Sequence, residues 1–545
     1  MLDKYLPRTN FNSYEDFKEN YKVNIPDNFN FGYDVVDEWA RVDPDKPALV
    51  WCDDHGGEEY FTFGDISNES NLIANALKTL GLSKGDAVML ILRQRYEYWH
   101  IVTALHKLGA VAIPASLQLT SKDITYRVKA ADVKLLICLD NDYVIRQVNE
   151  SEYTGRKIKL GSESGGWLSL DRVLDGASEN FERVHTRSDD LMLMYFTSGT
   201  TGMPKMVRHT YEHPLGHIVT AKYWQKVEDG KPHMSYGDSG WAKFGWGKIY
   251  GQWICGAAVF AYDWDKFVPK LLLEKIGKYK LTTFCVPPTM YRFMLQEDLS
   301  EFDLSSVKHC CNAGEPLNPE TYNRFYELTG LRLTEGFGQS ESSVMIANFE
   351  WFEPRPGSMG KPSPLYDIDL IDTEGKSCPA GVEGEIIIRG FGEKHPCGLF
   401  HGYHNDPEYN ARTIHGGIYY TGDVAWRDDD GYYWFVGRND DVIKCSGYRI
   451  GPFEVESALI EHPDVVECAV TAAPDPVRGQ IVKASIVLRA GATGSPELVK
   501  ELQNHVKKLT APYKYPRIID FVDELPKTVS GKIKRKQIRD EDAGN

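Results

Sequence analysis

The stretch Thr197-Ser198-Gly199-Thr200-Thr201-Gly202-Met203-Pro204-Lys205 follows an apolar run, Leu191 to Phe196, that reads as a buried strand. A strand that opens into glycines, hydroxyls and one lysine is suited to meeting phosphate. The glycines let backbone N–H groups approach the oxygens, the hydroxyls donate hydrogen bonds, and the lysine supplies positive charge. The pattern is not the Walker loop, which ends in Gly-Lys-Ser/Thr, because Lys205 follows a proline. That difference points away from ordinary ATP and GTP hydrolases.

Upstream of this loop the chain alternates helix and strand signals. Ile66, Ile73, Leu77 and Leu80 fall at helical spacing, with Gly81 placed to end the helix. Ala87 to Leu92 reads as a parallel strand buried on both faces, Tyr98 to Leu108 as helix, and Val111-Ala112-Ile113 and Leu135 to Leu139 as further strands. Thr282 to Val286, closed by Pro287-Pro288, continues the rhythm. The expected fold class is therefore α/β, with doubly wound sheets covered on both faces. After about residue 360 turn residues become dense, as in Asp372-Thr373-Glu374-Gly375 and Asp428-Asp429-Asp430-Gly431, with short strands Glu385 to Arg389 and Tyr432 to Val436 between them. That predicts an antiparallel, barrel-like subdomain. From Phe453 a helix, two strands (Val465 to Thr471, Val482 to Leu488), a helix near Glu497 to Leu509 and a strand Ile518 to Val522 predict a small α+β unit. The polar junction Gly437-Arg438-Asn439-Asp440 divides the chain into an N-terminal domain, 1–437, and a C-terminal domain, 438–545.

Composition sets outer limits. A chain of 545 residues, 42% hydrophobic and 26% charged, supports a large core and more than one domain. A net charge of −16 argues against binding nucleic acid or anionic membranes. The ten cysteines include no Cys-x-x-Cys, and Cys138, Cys285 and Cys468 lie in apolar runs as reduced core cysteines do. No apolar stretch is long enough to span a bilayer. Met1-Leu2-Asp3-Lys4 lacks a secretory apolar region, and Glu15, Asp16 and Glu19 are too acidic for a mitochondrial transit peptide, so a cytoplasmic location is expected by default.

Further polar clusters interrupt the apolar pattern: Asn312-Ala313-Gly314-Glu315-Pro316-Leu317, Thr334-Glu335-Gly336-Phe337-Gly338-Gln339-Ser340-Glu341, Tyr419-Tyr420-Thr421-Gly422-Asp423, Gly437 to Ile450, and Pro526 to Ile533. Each sets glycine beside acid, hydroxyl or base, as loops at strand ends facing a ligand do. Singly each has a bland reading. Thr-Gly-Asp is most often a turn, and Lys532, near Lys534, Arg535, Lys536 and Arg539, most often part of a solvated basic face. In this order, together, they resemble the adenylate-forming superfamily, which includes acyl-CoA synthetases, peptide-synthetase adenylation domains and luciferases. The resemblance runs from about residue 30 to the end. Gly437 to Ile450, followed by Gly-Pro-Phe-Glu-Val-Glu, and Pro474-Asp475-Pro476-Val477-Arg478-Gly479 look most like medium-chain acyl-CoA synthetases. Three positions depart from the common pattern: Phe337 for tyrosine, Ser340 for threonine and Lys534 for arginine.

The resemblance implies ATP, Mg²⁺ and CoA, and a small carboxylic acid activated as an acyl-adenylate before transfer to CoA. It implies that Thr197, Ser198, Gly199, Thr200, Thr201, Gly202 and Lys205 hold the β- and γ-phosphates and that Glu341 holds the metal. Gly314, Glu315, Pro316 and Glu335-Gly336-Phe337-Gly338-Gln339 would frame the adenine, Asp423 and Arg438 the ribose, and Ser340 the α-phosphate or the substrate carboxylate. Lys532 would stabilise charge in adenylation, Asp440 would be the hinge, and Ser446, Gly447, Tyr448, Arg449 and Arg478 would meet CoA. The acyl pocket would be lined by Trp224, Trp241, Lys243, Trp246, Cys285 and Gly338. Acetate users carry tryptophan where Gly338 stands, so glycine is expected to leave room, while two tryptophans limit length. A short-to-medium, branched or compact acid is the expected substrate, to a monomer or homodimer. A benzoate-type ligase is the nearest alternative, and a nucleotide-binding or hydrolysing regulator is the alternative from another class.

Overall fold

Alternating apolar runs and helices build two mainly parallel sheets in this computed structural model, which describes residues 1–197, 203–392, 395–445, 448–476, 478–527 and 533–544. The first has seven strands, in the order Leu168–Ser169, Arg156–Leu160, Val133–Leu139, Ala87–Ile91, Val111–Pro114, Leu191–Thr197, Lys205–Thr210. All neighbours are parallel except the last two, which pair antiparallel with Thr197 opposite Lys205. Every residue of Ala87–Ile91 is buried, as its unbroken apolar sequence requires. Helix Phe63–Thr79 starts at a Thr62/Asp65 capping box and stops before Gly81, whose φ of 87° suits glycine.

The second sheet has nine strands: Lys361–Pro362, Ile346–Ala347, Leu333–Phe337, His309–Asn312, Thr283–Cys285, Pro232–Ser235, Ala258–Asp263, Pro47–Asp53, Glu58–Thr62. Its middle is parallel, and strand alternation sends Cys310 and Cys311 into two different apolar cores. All ten cysteines are buried and unpaired, which matches the reduced-core reading. A third, five-stranded antiparallel sheet is built from Asp367–Ile371, Gly384–Arg389, Ile414–His415, Ile418–Arg427 and Tyr433–Arg438. The chain leaves this sheet at Arg438 and enters the fourth at Ile443–Cys445, so the expected junction coincides with a change of sheet. The fourth sheet, Tyr448–Ile450, Ile443–Cys445, Gly479–Leu488 and Val465–Asp475 with Ile518–Phe521 beside it, packs on helices Pro452–Ile460 and Pro496–Leu509.

Two features lay beyond pattern reading. The first 25 residues are fastened by rings: Phe17 packs on Tyr223 and Trp351 at centroid distances of 4.6 Å each. Helix His213–Ile218 runs on into a π-helical stretch, Val219–Trp224, which turns Trp224 into the core. Helix Tyr250–Ile254 crosses this region so closely that a Cβ on Gly251 would overlap the His217 carbonyl and stand 2.8 Å from Ala221 Cβ. Gly251→Ala is therefore expected to cost about 1–3 kcal/mol of stability, because backbone is in the way. A thermal melt checks this, and an unchanged midpoint would show that the crossing is not tight.

Candidate active site

Three of the polar clusters follow the carboxyl ends of parallel strands, where α/β sheets bind ligands. Leu191–Thr197 leads into the phosphate loop, His309–Asn312 into Gly314-Glu315-Pro316, and Leu333–Phe337 into Gly338 to Glu341. Gly314 has a φ of 98°, which favours glycine, and is exposed together with Glu315, whose carboxylate accepts from Thr289 Oγ1 at 2.7 Å. Ser198, Gly199, Thr200, Thr201 and Gly202 lie outside the described residues, but the strands on either side of them pair directly.

The nine-stranded and antiparallel sheets meet along a polar seam. Gln339 organises it. Its Nε2 donates to Asp423 Oδ2 at 2.6 Å and to the Thr421 carbonyl at 3.0 Å, while its Oε1 accepts from Tyr419 Oη at 2.7 Å. Asp423 and Arg438 are cross-strand partners, and their side chains pair at 3.3 Å. That carboxylate is only 4% exposed, and its charge holds the guanidinium pKa above its usual value. Glu341 accepts from Tyr403 Oη at 2.8 Å, and burial raises its pKa despite that bond. The Ser340 carbonyl accepts from His209 Nε2 at 2.7 Å. Burial pushes His209 down to about 3, so the ring is neutral at physiological pH and carries its proton on Nε2. Glu335, 5% exposed, accepts from the Leu317 N–H at 3.1 Å, and burial pushes it up to about 8. Phe337 packs at 5.8 Å on Phe435 of the antiparallel sheet.

Five of the six expected acyl-pocket residues are drawn together. Trp224 and Trp246 meet edge to face at 6.4 Å, and Trp224 Nε1 donates to the Thr334 carbonyl at 3.1 Å. Lys243 Nζ donates to the Ala313 carbonyl at 2.6 Å, beside Gly314, and its charge acts on the buried Cys285 thiol. Trp241 is half-buried and is the residue before helix Ala242–Lys248, and no ring contact joins it to Trp224 or Trp246 among the described residues. Gly338 requires a correction. The space it leaves is not free, because a Cβ there would overlap the Trp246 ring and lie 2.8 Å from the Ser343 carbonyl. Gly336 is tied in the same way to Trp224, whose Cη2 would be 2.9 Å from an added Cβ.

In the last sheet Cys445 pairs with both Tyr448 and Gly479, which sets Tyr448 and Arg478 at one end. Tyr448 is exposed and stacks on Tyr513 at 4.2 Å, and Arg449 reaches Glu383 of the N-terminal part at 3.4 Å. Ser446, Gly447 and Lys532 lie outside the described residues. The chain on either side of Lys532 comes together, with Lys527 bridging Ile533 and the Lys534 N–H donating to the Pro526 carbonyl at 2.8 Å. Asp440 is exposed in the turn between the third and fourth sheets.

Residues 36–404 match the family model for AMP-binding enzymes, and residues 454–532 that for the AMP-binding enzyme C-terminal domain. The chain belongs to the AMP-binding enzyme family. It is 42% identical over 542 residues to the mitochondrial acyl-coenzyme A synthetase ACSM3 of Mus musculus, covering 97% of this chain and 93% of that protein. It is 44% identical over 532 residues to the mitochondrial acyl-coenzyme A synthetase ACSM4 of Rattus norvegicus, covering 95% and 92%. Among solved structures it is similar to the anthranilate CoA ligase AuaEII in complex with anthranoyl-AMP, with a TM-score of 0.86 and 30% identity over 95% of this chain and 98% of that one. The relatives' mitochondrial location overturns the cytoplasmic expectation. The composition of a short N-terminal stretch was a weak basis for that inference. No helix among the described residues is long and apolar enough to cross a membrane.

Two residues of this AMP-binding enzyme's seam escaped sequence reading: His209 and Tyr403. Each lies within or beside an ordinary strand, and nothing in its local pattern marks it. Glu335 gives a test of the seam's dryness. The unfolded chain releases this proton near 4.5 and the folded chain near 8, so the folded state holds an extra proton between those values. Stability should therefore fall as pH rises through that window. Glu335→Gln keeps an oxygen for the Leu317 N–H and removes the penalty. It should melt higher than the parent at pH 8, by at least about 1 kcal/mol, and alike at pH 4. Equal melting at both would mean that water reaches the carboxyl.

Proposed function

We propose that this AMP-binding enzyme is an AMP-forming acyl-CoA synthetase for a short-to-medium-chain, branched or compact carboxylic acid. A carboxylate oxygen attacks the α-phosphorus of ATP, and pyrophosphate leaves. The CoA thiol, giving its proton to water or base, then attacks the acyl carbon, and AMP leaves. The observation that carries this reading is the seam, where Asp423, Arg438 and Gln339 form one bonded set beside Glu341 at the strand ends. The relatives named as acyl-coenzyme A synthetases support it.

Under this reading each residue does positional or electrostatic work, and no protein nucleophile is needed. Lys205 and the glycine-rich loop neutralise the outer phosphates. Gly314 to Pro316 and Glu335 to Gln339 flank the base. Asp423 accepts from the ribose hydroxyls, held in aim by Gln339 and Arg438. Ser340, its backbone fixed by His209, faces the reacting groups. Lys532 neutralises charge as the acid meets the α-phosphate. Glu341 suits a hard divalent cation such as Mg²⁺, because its partly shielded carboxylate lacks a paired cation strong enough to restore its ordinary pKa. No cluster of three or more His, Cys, Asp or Glu side chains that could hold a metal occurs among the described residues. This fits an ion whose remaining ligands are phosphate oxygens and water, and when bound it would offset phosphate charge. Residues 438–545, turning at Asp440, would move between the two half-reactions and bring Ser446, Gly447, Tyr448, Arg449 and Arg478 to CoA.

The anthranilate ligase likeness favours an aryl acid as the second reading. Pyrophosphate release with ATP, CoA and a panel from acetate to octanoate, with isobutyrate, 2-methylbutyrate and benzoate, separates the two. Release of AMP and pyrophosphate is expected with the compact aliphatic acids, whereas ADP and phosphate would remove the reading. Trp246→Ala should extend activity to longer acids, and no gain would show that Trp246 does not set the limit. Lys532→Ala should lower acyl-AMP formation at least about a hundredfold while sparing thioester formation from supplied acyl-AMP. Equal loss of both steps would refute that division of labour.

A further inference from the structure

The segment after the third-sheet strand Gly384–Arg389 ties the two proposed phosphate-handling groups together. From Phe400 to His404 it runs beside strand Lys205–Thr210. The His401 N–H donates to the Arg208 carbonyl at 2.9 Å, the Arg208 N–H to the Gly402 carbonyl at 3.2 Å, and the His404 N–H to the Met206 carbonyl at 2.8 Å. Its first residue is bonded to the other side of the seam, since the Phe400 N–H donates to the Glu341 carbonyl at 2.7 Å. Tyr403 then donates its hydroxyl to Glu341 Oε1 at 2.8 Å.

Helix Pro407–Thr413, started by Asp406, locks this arrangement. The Asn410 side chain clamps the Tyr403 backbone from both sides, accepting from its N–H at 2.7 Å and donating to its carbonyl at 2.8 Å. Tyr409, on the same helix, packs edge-on against the Tyr403 ring at 4.8 Å. The Lys205 ammonium sits 3.1 Å from the centre of the Tyr409 ring, and the Arg412 guanidinium 4.6 Å from it. An ammonium over an aromatic face is attracted to the ring and loses freedom. One short helix thus governs both the Glu341 carboxylate and the Lys205 ammonium, which belong to different sheets.

We propose that Tyr403 and Tyr409 are positioning residues for adenylation, which preset Glu341 and Lys205 relative to each other before the triphosphate arrives. The proposal rests on the acyl-CoA synthetase reading for its chemistry. Tyr403 acts by fixing which oxygen of Glu341 remains for a ligand. Tyr409 acts by restraining the Lys205 ammonium over its ring, so that less side-chain freedom is lost on binding.

The test uses the full chain with Tyr403→Phe, Tyr409→Leu and Tyr409→Phe. Calorimetry measures ATP binding with magnesium and no acid present, pyrophosphate release measures adenylation, and supplied acyl-AMP measures thioester formation. Tyr403→Phe should lower kcat/KM for ATP in adenylation about tenfold, the worth of a hydrogen bond to a charged group. Tyr409→Leu should weaken ATP binding about fivefold, and Tyr409→Phe, which keeps the ring, should restore it. Thioester formation should stay within about twofold of the parent in all three, as expected when the second step does not use these groups. Parallel loss of both half-reactions would reduce the tyrosines to packing, and unchanged ATP binding and adenylation would deny them any role. If the parent protein releases no pyrophosphate with any acid, the functional reading falls. The calorimetric comparison then still decides the positioning, which unchanged affinity in Tyr409→Leu would overturn.

Discussion

Carboxylates withdrawn from water are the constraint on which the seam depends. Asp423 and Glu341 both face the seam, and the Arg438 guanidinium pairs with Asp423 at 3.3 Å. Burial raises the Glu341 pKa, and the Asp423 charge adds to that while Arg438 opposes it. Hydrogen bonds from Tyr403 and Gln339 recover part of the desolvation cost, but neutral donors do not cancel charge. A triphosphate entering such a place adds negative charge to a region already negative. Chemistry at the α-phosphate therefore needs cations delivered from outside the seam. A metal ion with its nucleotide and Lys532 from the C-terminal part are two deliveries of that kind in the proposed mechanism, added to Lys205, which Tyr409 already holds. The electrostatics give a physical reason why part of the catalytic charge would be mobile rather than built in.

Sheet topology explains why the seam exists. Parallel strands end together, so His309–Asn312 and Leu333–Phe337 release their polar loops at one edge. The antiparallel strand Ile418–Arg427 crosses that edge and supplies Tyr419 and Asp423 from a different core. Neither sheet holds a complete set alone. Gln339 needs acceptors and a donor from the opposite sheet to satisfy its amide, and its bonds in turn fix how the sheets are aligned.

Much of this was legible in the sequence because period and punctuation are local. Ala87–Ile91 is a strand since its residues are apolar on both faces, and Glu97–Leu108 stops at Gly109, whose φ of 75° explains the residue. The change of sheet at 438–443 was visible as a run of polar residues and glycine. What stayed hidden is set by contacts between distant segments. His209 matters because the Ser340 carbonyl, 131 positions away, points at it. Tyr403 matters because Glu341 lies opposite, and no spacing rule connects them. The π-helical turn that buries Trp224 also has no sequence period of its own.

Gly338 shows why a small residue in a sequence does not by itself mark open space. A glycine states only that a side chain is missing, not what takes its place. Trp246 fills the position from helix Ala242–Lys248, and Ser343 closes it from the backbone side. Trp246 in turn rests edge-on against Trp224, which is pinned by its indole N–H to the strand that carries Gly336 and ends just before Gly338. The glycines and tryptophans are thus one packed unit in which each small residue makes room for a large one. Under the proposed function, the limit on the acid would therefore include the cost of displacing Trp246 from this packed unit.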